Sequence, residues 1–261
     1  MIPFTKAHAC GNDFLIVTEE AASGQDFVNL TRRLCDRHTG IGADGIEFFS
    51  WTNRSEPGRK SGRVILHNAD GSIAEISGNG TRCVAAWMAL ELGSKAGEEL
   101  EIATDAGLRV CRIDSIRNHD DFTVEVTAGM GVPRIAPRTV QLAESVKIKS
   151  IEVSTGNPHF VVEVNNPDFT TAGKSWQAIG AEVCVHPDFP HQTNVEFVRI
   201  VSPSEIEIRI WERGVGATSS SGTGTSAAAT AALAFKGCTS PLKVVAPGGA
   251  QTVTWQGPGT E

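Results

Sequence analysis

The chain has 261 residues, of which 40% are hydrophobic and 20% charged, enough apolar material for a real core and a composition that argues against disorder. The net charge is −7, from 30 acidic against 23 basic residues, and no basic run is longer than Arg32-Arg33, which argues against a nucleic-acid surface. No stretch approaches the roughly 18 consecutive apolar residues of a membrane span, and the start of the chain has no basic region leading into an apolar run, so a cytoplasmic location is expected. The cysteines, Cys10, Cys35, Cys83, Cys111, Cys184 and Cys238, are scattered without a CxxC pair. That pattern predicts buried, reduced thiols rather than a metal site.

In chain order, two strand-like runs come first, Pro3 to His8 and Asp13 to Thr18, split by a turn at Cys10-Gly11-Asn12. The helical spacing of Phe27, Leu30 and Leu34 predicts an amphipathic helix with Gly40 just beyond its end. Strands follow around Gly45 to Trp51 and Gly62 to Asn68. The glycine motif Ser77-Gly78-Asn79-Gly80-Thr81 then leads into a helix over Arg82 to Leu92, stopped by Gly93. Strands at Leu100 to Thr104 and Leu108 to Ile113 complete a first half.

The polar run Arg117-Asn118-His119-Asp120-Asp121 reads as a boundary, giving an N-terminal lobe at residues 1–118 and a C-terminal lobe at 119–261. The second half repeats the plan, with strands near Phe122 to Thr127, Ile148 to Ser154 and Phe160 to Val164, a Pro- and Asp-rich middle, and a strand at Glu205 to Trp211. There Ile206, Ile208 and Ile210 alternate with Glu205, Glu207 and Arg209, the period of a sheet with one buried face. A second motif, Ser221-Gly222-Thr223-Gly224-Thr225, opens the helix Ser226 to Phe235, which is apolar nearly all round and should be buried. The expected fold is therefore α+β, with two pseudo-symmetric lobes, each a curved, mostly antiparallel sheet wrapped around a central helix.

Both motifs resemble helix N-termini whose glycines let a ligand approach the backbone and whose first amides attract a carboxylate. Two such heads suggest one small acid held between Ser77 and Ser221. Taken singly, either motif is equally readable as a plain Ser-capped helix start. Gly40-Ile41-Gly42-Ala43-Asp44-Gly45 matches the dinucleotide fingerprint GxGxxG, yet it follows a helix and precedes a strand, the reverse of the order that pyrophosphate binding needs. Asn12, Asn68, Asn157 and Asn194 all fall at turns or strand ends, where amides can both donate to and accept from a zwitterion. Glu212-Arg213 ends the alternating strand ahead of the second motif, and arginine's planar fork suits a carboxylate.

HACGNDF, RHTGIGADG, NADGS, ISGNGTRC, TGNPHF, NVEFV, WERGVGAT and SSGTGTSAAA, in that order over almost the whole chain, resemble the diaminopimelate epimerase family. The resemblance implies a cofactor-independent epimerase, usually a cytoplasmic homodimer in lysine and peptidoglycan precursor synthesis, with two lobes closing on an amino-acid substrate and two cysteines serving as base and acid. It places ligand-binding positions at Asn12, Asn68, Gly78, Asn79, Asn157, Asn194, Glu212, Arg213, Gly222 and Thr223. No metal is implied. The catalytic positions fall on Ser77 and Ser221, where the family has cysteine. Ala217 stands where the family usually has Glu, and the chain stops at Glu261, ahead of the family's final strand, which bears on the dimer surface.

A thiol near pKa 8.5 can serve as base at neutral pH, whereas a hydroxyl near water's ~15.7 lies at least about five units higher, roughly 7 kcal/mol. Three readings remain open on sequence. His159 beside Ser77 and Glu212 beside Ser221 are bases and the hydroxyls relay protons; or the serines are inactivating replacements that leave an amino-acid-binding homologue; or the chain is a same-fold isomerase of the proline racemase or phenazine-biosynthesis type.

Overall fold

The computed structural model describes residues 1–118, 122–142 and 146–261. These form two compact units, Met1–Gly129 and Met130–Glu261. Each is α+β, a curled sheet with a helix on either face.

In the first unit, β1 (Thr5–Ala9) and β2 (Asn12–Thr18) form a hairpin. Helix α1 (Phe27–Cys35), capped by Asp26, then crosses to β3 (Gly45–Asn53). Next come β4 (Lys60–Asn68), the short β5 (Ile73–Ala74), α2 (Gly78–Leu92), β6 (Glu99–Thr104), β7 (Gly107–Asn118) and β8 (Phe122–Ala128). The sheet order is β1-β2-β3-β4-β6-β7-β8, with β5 on β4. Only β2–β3 and β4–β6 are parallel, since each is joined through a helix; the other pairs are antiparallel. Strand β2 shows why the sheet is covered on both faces. Its Phe14 and Ile16 meet Cys83, Val84, Met88 and Ala89 of α2, while Leu15 and Val17 meet Leu30 of α1 and Phe48 of β3. Strands β1, β2, β6, β7 and β8 touch α2, so both ends of the sheet curl around it.

The second unit holds β9 (Arg134–Gln141), β10 (Lys147–Ser154), β11 (Pro158–Glu163), α3 (Trp176–Cys184), β12 (Asn194–Ser202), β13 (Glu205–Glu212), β14 (Gly216–Thr218), α4 (Gly222–Phe235), β15 (Leu242–Ala246) and β16 (Gly249–Val253). The order is β16-β15-β13-β12-β11-β10-β9, with β14 on β13. From β10 to β16 the pairings repeat those from β1 to β7, parallel pairs included. Strands β8 and β9 are the unmatched additions. As its composition predicts, α4 is enclosed: Ala227, Ala228, Ala229, Ala231 and Ala232 are buried against Val153, Ile206, Ile208, Ile210 and Val244. Five of the six cysteines are buried and all are free.

Several expectations are corrected. The boundary at 118/119 would separate two paired strands, because β8 hydrogen-bonds back onto β7 from Asn118–Phe122 to Cys111–Ala128. The units divide instead between Gly129 and Met130. His119, Asp120 and Asp121 lie outside the described residues. Both central helices begin one turn earlier than expected, at the glycines themselves, since Ser77 and Ser221 supply the caps. The Pro- and Asp-rich middle contains α3, hidden in the sequence by Gly180. A Cβ there would come within 2.7 Å of Trp211 Cβ, so the glycine serves close packing on β13. Strands β9, β12, β15 and β16 were also not anticipated.

Candidate active site

In the first unit Ser77, Gly78, Asn79 and Asn12 gather at the head of α2. Ser77 is the N-cap in extended conformation, and its Oγ accepts from the Gly80 amide at 3.0 Å. Gly78 and Asn79 follow, both buried. Asn79 donates to Asn12 Oδ1 at 3.1 Å and accepts from Arg82 at 2.6 Å. Asn12, the first residue of β2, donates in turn to Asp44 Oδ2 at 2.6 Å. Arg37 bonds both Asp44 and Asp13, at 2.8 and 2.7 Å. Burial alone would raise the Asp13 carboxyl, but the bonds and charges of Arg37 and Lys6 hold it at about 2. Asn68 ends β4 opposite Gly45, and its amide donates to Ser72 Oγ at 3.1 Å.

The second unit builds the same head on α4. Ser221 is the N-cap, with Oγ accepting from the Gly224 amide at 3.2 Å. Gly222 and Thr223 form the first turn, and Thr223 Oγ1 lies 3.4 Å from Ser221 Oγ. Asn157, just before β11, donates to Thr223 Oγ1 at 3.3 Å and accepts from His159 Nε2 at 3.0 Å. The other ring nitrogen of His159 meets Glu196 Oε1 at 2.8 Å, both side chains being fully buried. A chain of contacts thus runs from Glu196 through His159, Asn157 and Thr223 to Ser221. Both ring nitrogens of His159 are engaged within its own unit. Asn194, first in β12, donates to the Pro158 carbonyl at 3.0 Å and accepts from the Arg213 amide at 2.9 Å, tying β11 to the β13–β14 turn. Glu212 ends β13 opposite Gly216, and Arg213 NH1 reaches the His191 carbonyl at 3.4 Å.

Two acids that motif reading missed stand behind these heads. Glu47 in β3 pairs with Ile16 and Leu66, and Glu196 in β12 pairs with Val161 and Ile210, the same place in each sheet. Both are buried, and in each Oε2 has no partner among the described residues. Burial pushes the Glu47 carboxyl up to about 8. Burial also raises Glu196, against the opposing pull of His159. The echo of Gly45-Ile46-Glu47-Phe48 in Asn194-Val195-Glu196-Phe197 was the available signal. Among the described residues, no group of three or more His, Cys, Asp or Glu side chains could hold a metal ion.

A family model described as diaminopimelate epimerase matches residues 4–136 and 151–261. Among curated relatives, diaminopimelate epimerase of Desulforudis audaxviator is 37% identical over 97% of this chain and 91% of its own length. That of Microcystis aeruginosa is 35% identical with the same coverage. Solved structures share the fold at low identity. A hydroxyproline epimerase from Agrobacterium vitis superposes with a TM-score of 0.67 at 18% identity, covering 97% of this chain and 82% of that one. A phenazine biosynthesis protein of the PhzF family from Bacillus anthracis gives 0.63 at 16%, covering 96% and 88%. Two curled sheets, each holding a glycine-headed helix, together with these relatives, define an isomerase that acts as an amino-acid epimerase. The chain belongs to the diaminopimelate epimerase family.

Proposed function

We propose that the chain inverts the α-carbon of diaminopimelate, LL to meso, by proton transfer at two faces without a cofactor, as a cytoplasmic homodimer serving lysine and peptidoglycan precursor synthesis. Ser77 and Ser221 are the proton-transfer groups. Asn12, Asn68, Asn79, Asn157, Asn194, Glu212 and Arg213 hold the ligand with the first-turn residues Gly78, Gly222 and Thr223. The observation that carries the reading is the matched pair of caps: each serine Oγ accepts from the third amide of its helix, 3.0 Å at Gly80 and 3.2 Å at Gly224. In that state the hydroxyl proton points away from the helix, and negative charge on Oγ is stabilised by the amide and by the helix dipole. The remaining amides of each first turn suit the substrate carboxylate. His159 is joined to Ser221 through Asn157 and Thr223 and orients that hydroxyl.

The test is incubation with LL-diaminopimelate in deuterium oxide. Loss of the α-proton signal together with appearance of the meso form supports epimerisation. Calorimetric titration of Arg213→Ala beside a distant surface variant tests binding, and equal affinity in the two removes Arg213 from the substrate. A second reading, an amino-acid-binding homologue without turnover, is favoured by the hydroxyls standing where thiols would ionise far more easily. Saturable binding with full retention of the α-proton would establish it.

A further inference from the structure

We infer that Glu47 and Glu196 are positioning residues that exchange a proton with the hydroxyls of Ser77 and Ser221, one buried acid behind each helix head. The inference rests on the reading of those serines as the proton-transfer groups.

Its first support is convergence on one point in each unit. A Cβ built on Gly224 would lie 2.7 Å from Glu196 Oε1 and 3.3 Å from Ser221 Oγ, so carboxyl and hydroxyl flank the same position. On Gly80 the equivalent Cβ would collide with Glu47 Oε1 and lie 3.2 Å from Ser77 Cβ. Glycine at both places keeps the space between acid and serine free of a side chain. A second support is cost. An acid buried between apolar strands with one oxygen unpartnered is expensive, and leucine would fill either space without that penalty. The sequence bears this cost twice, at the same register position, under the same kind of turn. Third, the cap bonds leave each hydroxyl free to exchange its proton. Each Oγ accepts from an amide, so its own proton is available to another acceptor, of which Thr223 Oγ1 at 3.4 Å is one at Ser221.

The surroundings differ between units. Facing Glu47 is Cys83 of α2, a thiol that burial pushes to about 12, while its neighbours on β2 and β4 are Ile16 and Leu66. Glu196 faces His159 of β11, and neither α4 nor its β13 neighbour Ile210 brings an ionisable group. The position that corresponds to His159 in the first unit is Phe14. Burial holds the Glu47 carboxyl near 8, and burial also raises Glu196 toward its protonated form, against the opposing pull of His159.

The Cα proton passes to Ser77 Oγ as the Ser77 hydroxyl proton passes to the Glu47 carboxylate, and the C–H electron pair stays on Cα. Ser221, the second proton-transfer group of the proposed function, gives its hydroxyl proton to Cα and is reprotonated from the Glu196 carboxyl, which burial favours in its protonated form. Turnover in the reverse direction, or exchange with solvent, restores both acids.

The experiment compares α-deuterium exchange against pH for the native chain, Glu47→Gln, Ser77→Cys and the Ser77→Cys/Glu47→Gln double variant, with ligand affinity measured by calorimetry. Glu47→Gln is expected to slow exchange at least about 100-fold in the serine background and to remove the limb near pH 8, with affinity within about threefold. In the Ser77→Cys background the loss should shrink below about tenfold, because a thiol ionises without help. Glu47→Asp, which keeps the charge and withdraws it by one methylene, should fall between. Equal losses in the serine and cysteine backgrounds would overturn the inference, since a merely structural acid costs the same in both. No exchange by the native chain at any pH overturns it as well. If Ser77→Cys/Ser221→Cys then epimerises, the assignment of the two serines survives that failure; if that variant is also silent while binding ligand, the assignment itself falls.

Discussion

Gly80→Ala is expected to destabilise the first unit, although replacing a helical glycine by alanine ordinarily gains up to about 1 kcal/mol. The difference lies in what the new methyl group meets. It would fall on Glu47 Oε1, with Ser77 Cβ 3.2 Å away, and the carboxyl cannot retreat because Glu47 lies between Ile16 and Leu66 in the covered sheet. Overpacking of this kind costs about 1–3 kcal/mol, so the net change should be a loss of up to about 2 kcal/mol. At Gly224 the approach is looser, 2.7 Å to Glu196 Oε1, and Gly224→Ala should come out nearer neutral. With Glu47→Ala in place the obstruction is gone, and Gly80→Ala should recover its ordinary gain, giving a coupling of about 1–3 kcal/mol. Urea unfolding followed by far-ultraviolet circular dichroism measures all four variants of the cycle. A stabilising Gly80→Ala in the native background, or a coupling near zero, refutes the close approach of Glu47 to the head of α2.

Other expectations concern chemistry and pH. Restoring both serines to cysteine should raise epimerisation by several orders of magnitude, as much of the ~7 kcal/mol ionisation penalty disappears, while either single cysteine exchanges the α-proton with little inversion; similar conversion by single and double variants would contradict a base on each face. His159→Phe, which gives the second unit the arrangement found at Phe14, leaves Glu196 buried without its partner. Glu196's folded pKa then rises further above its unfolded value, so stability is retained at acid pH and falls as pH climbs above the ordinary carboxylate range; denaturation midpoints that do not fall with pH would rule this out. Asp13 is the opposite case. Its folded pKa is depressed from 3.8 to about 2, so its contribution is present above pH 3.8 and lost as pH falls toward 2. Arg37→Met should remove about 1 kcal/mol of it, a small figure because Arg37 is solvent-screened, and acid titration of both proteins should show the difference only above that window.

The parts of the fold that sequence disclosed are those where one local rule dominates. Alternation in β13 gives its buried face directly, and the uninterrupted apolar surface of α4 gives its enclosure. The glycine motifs disclosed both helix heads, because Ser followed by Gly-x-Gly is a cap with room in front of it. Other features depend on distant partners. The acids at 47 and 196 look like solvent-facing residues in otherwise apolar strands, and only the helix heads lying over them make them buried. Helix α3 carries a glycine that a local rule counts against helix, and the packing of Trp211 is what explains it. The lobe boundary went astray because a polar run signals exposure alone, and nothing in it tells that β8 pairs back onto β7. His159 shows the same limit: its type was legible, but its two ring contacts were set by residues 2 and 37 positions away.

The enclosure of α4 has a consequence for how the second unit opens. Strands β10, β11, β12, β13, β15 and β16 all touch this helix, and its fourteen residues include no charged side chain that could stay in water while a neighbour moves. No partial detachment is available to it, because lifting α4 away exposes alanine and backbone on every side at once. Its interior amides should therefore exchange with solvent deuterium only through opening of the whole unit, on a timescale set by global stability. The loop from Arg213 to Val215 is held by Asn194, by the His191 carbonyl and by the Val215 amide on Glu212, whereas the outer helix α3 packs on one face alone and can open by local fluctuations. The support beneath Ser221 is thus released only with the whole unit, while the outer helix can loosen without it.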